Sequence, residues 1–117
     1  MISLKADTRI FVAMGATDMR KGFDGLCGVV SGVLRQDPLS GHLFLFVNRR
    51  RDKLKILYWD GDGLAIWYRR LEQGTFQMPT FSESSAVAEL RSDDLIMLLR
   101  GIDYSNVLRR KRFSIAN

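Results

Sequence analysis

Apolar residues recur at Met19, Phe23, Leu26, Cys27, Val30, Val33 and Leu34, steps that line one face of an α-helix. Thr17 or Asp18 can cap this helix through a side-chain oxygen. Asp37-Pro38 stops it, because proline disfavours helical geometry in the residue before it. Ahead of the helix, Arg9 to Met14 reads as a short strand through Ile10, Phe11 and Val12, ended by Gly15. Beyond it, His42 to Val47 reads as a strand with apolar residues on both sides, and Lys53 to Asp60 and Leu64 to Arg70 read as two more. The intervening Asp60-Gly61-Asp62-Gly63 signals a hairpin, because its glycines accept positive φ. The two-residue loop is either Gly61-Asp62 or Asp62-Gly63, and both registers sort the side chains identically.

One hairpin face carries Leu54, Ile56, Tyr58, Ala65, Trp67 and Arg69; the other carries Lys53, Lys55, Leu57, Trp59, Leu64, Ile66, Tyr68 and Arg70. Both faces are apolar near the turn, so either both are covered internally or one awaits a partner. With only two helices to cover them, the pattern leans towards a partner surface. Gly22, Gly25, Gly28 and Gly32 cluster opposite the apolar face of the first helix, at up to ~1 kcal/mol each relative to alanine. Close packing within the chain explains such a stripe, and an interface with another subunit is the alternative. Thr75 to Met78 suggests a further short strand and Pro79 to Ser85 a loop. Ser92 can cap a second helix with Asp93 and Asp94 in its first turn, an apolar stripe of Leu95, Leu98, Leu99 and Ile102, and Gly101 near its end. The expected fold is α+β: a mainly antiparallel sheet of about four strands with a central hairpin, packed by two helices on one side. Residues 1–104 form this domain, and residues 105–117 read as a frayed basic tail.

Charge sharpens the picture. The net charge is +5, but Arg109-Arg110-Lys111-Arg112 supplies four of the cations, leaving 14 cations against 13 carboxylates in residues 1–108. A near-neutral body with a basic tail and one basic cluster favours a polyanionic partner. The lone cysteine, Cys27, cannot form an internal disulfide, which suits a reducing cytoplasm. No signal peptide and no apolar stretch of the ~20 residues needed to cross a bilayer is evident.

Several chemistries are excluded. With Cys27 and His42 each the only residue of its kind, a zinc site of ordinary composition cannot be built. A Cys27–His42 dyad is conceivable, but Cys27 sits on the apolar helical face, where a buried thiol is expected. The calcium-loop likeness of Asp60 to Gly63 fails because Leu71 stands where an EF-hand needs glutamate. No phosphate-binding GxxxxGK[ST] or GxGxxG motif occurs. A two-metal site needs several converging carboxylates. Most of Asp18, Asp24, Asp60, Asp62, Asp93, Asp94 and Asp103 are explained more simply as caps and turn residues. No cofactor, metal or catalytic residue is therefore expected.

Arg49, Arg50, Arg51, Lys53 and Lys55, with Arg69 and Arg70 across the hairpin, can bind phosphates as a group, and Arg109, Arg110, Lys111 and Arg112 extend the set. Trp59 and Tyr68 share the basic face, where stacking on unpaired bases is conceivable. Gly22, Gly25, Trp59, Trp67 and Tyr68 are the candidate protein-contact residues.

The segment Thr17-Asp18-Met19-Arg20-Lys21-Gly22-Phe23-Asp24-Gly25-Leu26 resembles the opening of the TnpB accessory proteins of the sixty-sixth family of bacterial insertion sequences. The likeness continues in order through Asp37-Pro38, Ser40-Gly41-His42-Leu43-Phe44, Asp52-Lys53-Leu54-Lys55-Ile56-Leu57, Trp59-Asp60-Gly61, Tyr68, Arg70-Leu71-Glu72, Phe76, Leu98-Leu99 and Gly101-Ile102-Asp103. It covers about residues 4–104. Tyr104 departs from the tryptophan often found after Gly-Ile-Asp, and the tail beyond residue 105 lies outside the shared pattern. The resemblance implies a cytoplasmic, non-catalytic accessory protein of transposition, distinct from the RNA-guided nucleases sharing the label. The implied partners are the transposase and other proteins of the element; the basic hairpin adds DNA at the element ends, the glycine stripe leaves room for a homodimer, and the composition gives no membrane partner. A pure adaptor of the transposase that never touches DNA is the alternative.

Overall fold

The computed structural model describes residues 2, 4–78, 85–100, 102–103 and 108–109. Strands β1 (Ile10–Ala13), β2 (Leu43–Val47), β3 (Lys53–Trp59), β4 (Leu64–Arg70) and β5 (Val87–Leu90) form one sheet in the order β4-β3-β2-β1-β5. Helix α1 (Phe23–Gly32) connects β1 to β2, and α2 (Ser92–Arg100) follows β5. Strands β6 (Ile102–Asp103) and β7 (Leu108–Arg109) pair antiparallel, so part of the stretch read as tail takes up regular structure.

The sheet has five strands and is mixed, against the expected four mainly antiparallel ones. β1 and β2 run parallel, with Ile10 opposite Leu43, while the remaining pairs are antiparallel. A parallel pair needs a long crossover, and α1 supplies it. Every residue of β1 and β2 is buried. Near-continuous apolar runs such as Leu43-Phe44-Leu45-Phe46-Val47 mark strands covered on both faces.

The helices lie on opposite faces of the sheet, correcting the expectation that both share one side. Leu95 and Leu98 of α2 pack with Ile10, Val12, Leu45, Leu54, Ile56 and Phe76. Leu26 and Val30 of α1 pack with Phe11, Phe44, Phe46 and Leu57. Both sides of β3 are thereby sealed, and the lean towards an open hairpin face is overturned there. Outer strand β4 is only half covered and becomes exposed at Tyr68, Arg69 and Arg70.

β5 was not anticipated. Val87-Ala88-Glu89-Leu90 carries little intrinsic strand preference. It forms because it pairs with β1, Ile10 opposite Leu90, and because Leu90 joins the core; on the exposed side the Arg9 guanidinium donates to Glu89 at 2.6 and 3.0 Å. Thr75 to Met78 is not a strand; Phe76 is simply buried, its N–H donating to the Arg51 carbonyl at 2.7 Å.

The hairpin register resolves to a Gly61-Asp62 loop, with Asp60 N–H donating to the Gly63 carbonyl and Gly61 at φ 104°. Asp60 Oδ1 accepts from Asp62 N–H and Gly63 N–H. In α2 the first carbonyl acceptor is Arg91, and Asp94, not Ser92, closes the cap by accepting the Arg91 N–H at 3.0 Å.

Helix α1 starts later and ends earlier than the periodicity implies. Asp18 does not cap it: its Oδ1 accepts the Arg20 N–H at 2.9 Å, making a local turn, and the helix begins at Phe23 without a side-chain cap. At the far end Leu34 N–H returns to the Val29 carbonyl, and Arg35 takes a left-handed φ of 58°, so the chain leaves the helix before Pro38. The glycine stripe does not pack against the described residues. A methyl group at Gly22, Gly28 or Gly32 would meet nothing within 4 Å, and at Gly25 only the Lys21 side chain, at 3.2 Å.

The segment before α1 is held by a buried cation. Lys55, on the α1 face of β3, is 8% exposed, and its Nζ donates to the carbonyls of Met19 and Lys21, both at 2.8 Å. Replacing it with methionine keeps the stem and strands both acceptors. Lys55→Met is expected to cost about 2–3 kcal/mol in urea unfolding, the scale of a charge-assisted hydrogen bond left unmade. Gly28→Ala is expected to stabilise the isolated chain by about 0.5–1 kcal/mol in the same assay. A destabilised Gly28→Ala chain would mean that this helical face is occupied.

Candidate nucleic-acid interface

The turn joining β2 to β3 is Asn48-Arg49-Arg50-Arg51-Asp52, and its backbone is over-determined. Arg51 N–H donates to the Asn48 carbonyl at 3.1 Å, and Asn48 N–H to the Lys53 carbonyl at 3.2 Å. The Asn48 side chain fills the loop: Oδ1 accepts from Asp52 N–H and Lys53 N–H, and Nδ2 donates to Asp52 at 2.6 Å. From outside, Leu71 N–H and Phe76 N–H reach the Asp52 and Arg51 carbonyls, both at 2.7 Å. Arg51 adopts φ 60°, a position that glycine fills without steric cost. The Asn48 amide, with help from Lys53 and Arg50, holds the Asp52 carboxyl below the usual carboxylate range.

The cations of this turn flank two depressions. Arg49, Arg50 and Lys53 line an open one with Arg20 and Tyr68, floored by the Ala16 to Met19 segment. Arg49 and Arg51 line a second, at the carboxyl ends of β1 and β2, with Ala13, Gly15 and Met78. Among the described residues, no carboxylate comes within ion-pair distance of Arg49, Arg50, Arg51 or Lys53, whereas Arg9, Arg20, Arg70 and Arg91 pair with Glu89, Asp18, Glu72 and Asp94.

The other sequence candidates separate. Lys55 is buried and bonded to backbone, so it is not an exposed phosphate ligand. Arg70 shares the Tyr68 face but is paired with Glu72 at 2.7 Å, which raises its pKa. Arg69 lies on the opposite face, over the Trp67 ring at 4.6 Å, and donates to the Leu99 carbonyl of α2. Trp67 packs partly buried on the α2 side. Trp59 is half-buried at the far end of the hairpin, in a depression with Lys5, Asp7 and His42. Tyr68 is 50% exposed, with the Lys55 ammonium 4.8 Å from its ring centre. Gly22 and Gly25 flank the start of α1. Arg110, Lys111 and Arg112 lie outside the described residues, as does the side chain of Arg109.

Two contributors, Arg20 and Asn48, stand out neither by periodicity nor as part of the basic run. Arg20 was read as a helical residue, although its place in a polar turn beside Asp18 was the available signal. Asn48 was passed over, although asparagine before a run of cations is a common turn former. Of the residues weighed for nucleophilic chemistry, His42 Nδ1 accepts the Arg9 N–H at 3.0 Å, and burial, then Asp24, pushes the Cys27 thiol upward. No three of His, Cys, Asp and Glu converge among the described residues.

Hydrogen bonds from the Arg20 side chain and N–H hold the Asp18 carboxyl down to about 2. A depressed carboxylate contributes stability that is complete above its ordinary value of 3.8 and is lost as pH falls through about 2. Side-chain NMR titration is expected to place the Asp18 midpoint near that lower value and to raise it part of the way to the ordinary range in Arg20→Gln, which keeps the backbone N–H bond. An unchanged midpoint in the variant would contradict the pairing.

No solved structure matches this chain. Two uncharacterized proteins of Sinorhizobium fredii (strain NBRC 101917 / NGR234) are similar along most of their length. One, y4hO, is 38% identical over 104 residues, covering 89% of each chain. The other, y4jC, is 33% identical over 110 residues, covering 94% of this chain and 92% of its own. A family model described as "IS66 Orf2 like protein" matches residues 8–109. Residues 105–109, read from the sequence as outside the shared pattern, thus fall within it. The chain belongs to the IS66 Orf2-like family, accessory to transposition of an insertion sequence.

Proposed function

We propose that this protein is a non-catalytic accessory factor that engages DNA of its element, at the element ends, through the rigid Arg49-Arg50-Arg51 turn and Lys53. The observation that carries the reading is the contrast in charge pairing. Arg9, Arg70 and Arg91 elsewhere, and Arg20 beside the turn, are ion-paired, while the turn's arginines have no carboxylate partner among the described residues. Their backbone is fixed by the Asn48 side chain before any partner arrives. Pre-ordered donors lose less entropy on binding than donors on a floppy loop. Arg51 occupies a left-handed position where glycine would be less strained. A cation kept there at a cost is consistent with a use for its charge.

A second reading, an adaptor that binds the transposase or a second copy, is favoured by the outer surface of α1. The methyl-free positions at Gly22, Gly28 and Gly32 adjoin Phe23 and Val33, which are 49% and 55% exposed. The two readings use separate surfaces and are compatible.

The test is a mobility-shift series with terminal-repeat DNA at rising salt. With phosphates engaged by Arg49, Arg50, Arg51 and Lys53, affinity for duplex is expected to fall on the order of a hundredfold between 50 and 200 mM salt. Changing the three arginines to glutamine should remove most of that slope. Binding and slope that survive the triple change would overturn the assignment to this turn, and no binding by the unmodified protein would leave the adaptor reading.

A further inference from the structure

We infer that Tyr68 is a base-stacking platform and that the strand this protein takes is unpaired DNA. The inference deepens the DNA-binding reading and rests on it. Tyr68 projects from edge strand β4 into the open depression lined by Arg20, Arg49, Arg50 and Lys53. It is the half-exposed aromatic of that basic surface, and its ring is braced from one side by Lys55, whose ammonium is itself tied to the Met19 and Lys21 carbonyls. The ring is therefore braced beside a space lined by Arg49, Arg50 and Lys53, and by the Arg20–Asp18 pair.

A fixed aromatic among phosphate-binding cations matches what a single strand offers: a flexible chain of charges with exposed base faces. Within a duplex both faces of each base are covered by neighbours, so the ring can stack only at an end or where the strands have separated. The cations alone would bind either form. The aromatic adds preference for the unpaired one.

The experiment is fluorescence anisotropy at one salt concentration with a labelled DNA strand of about 12 nucleotides, the blunt duplex of the same sequence, and the matching RNA strand. The unmodified protein is expected to bind the single DNA strand at least as tightly as the duplex. Tyr68→Ala should lose roughly tenfold or more on the strand and about twofold or less on the duplex, because stacking is felt only by an exposed base. Tyr68→Phe keeps the ring and should keep the affinity. Arg50→Gln should weaken both forms. In the unmodified protein, photo-crosslinking to a strand carrying 5-iodouracil should mark Tyr68, a readout independent of how the variants fold. Equal losses on strand and duplex in Tyr68→Ala, no loss at all, or crosslinks elsewhere would overturn the stacking role while leaving DNA binding intact. Tighter binding of the RNA strand would overturn the choice of DNA. Absence of binding to all three probes would overturn both readings together.

Discussion

The buried ammonium of Lys55 ties the fold to the surface that matters. It reaches from β3, next to edge strand β4, to two backbone carbonyls in the turn before α1, and it braces the Tyr68 ring. A buried cation is costly unless its donors are satisfied, and here two carbonyls and an aromatic ring surround it. Lys55 shares the task of anchoring with the Thr17 N–H, which donates to the Val47 carbonyl of β2 at 2.9 Å, so the segment lining the basic depression is tied to the sheet at both ends. The cation that looked in the sequence like one more phosphate ligand thus positions the residues around it.

The same architecture separates two kinds of positive charge. Arg9, Arg20, Arg70 and Arg91 are matched by carboxylates, and Arg69 is held over Trp67 and against the end of α2. The Arg49 to Arg51 turn sits at the far end of the β2–β3 hairpin, anchored from within by Asn48 and from outside by Leu71 and Phe76. Exposed ion pairs contribute little stability, so the paired arginines are surface features of the fold. The unpaired turn is better understood through what approaches it.

Much of this was legible in the sequence. The strands from Leu43 to Arg70 and the hairpin at Gly61 follow from apolar runs and turn chemistry that local physics dictates. The basic turn was visible as a run of arginines between two such strands. What could not be read were the features set by distant partners. β5 depends on pairing with β1, since Val87-Ala88-Glu89-Leu90 has weak preference of its own. The parallel β1–β2 pair and the division of the helices between two faces depend on the crossover path, although the fully apolar Leu43 to Val47 run already pointed to double-sided cover. The fate of Lys55 depended on where residues 19–21 come to rest. Asp18 competes for its own neighbour Arg20 instead of capping α1, and periodicity alone extends the helix too far at both ends.

The arginine turn and the Tyr68 depression together offer one surface for a polyanionic strand. Backbone amide NMR of the labelled protein during titration with single-stranded DNA tests this most directly. The largest shift changes should fall on Ala16 to Lys21, Asn48 to Lys53 and Tyr68, with α2 and β5 unmoved. Changes centred on α2 or β5, or no changes at saturating DNA, would contradict it.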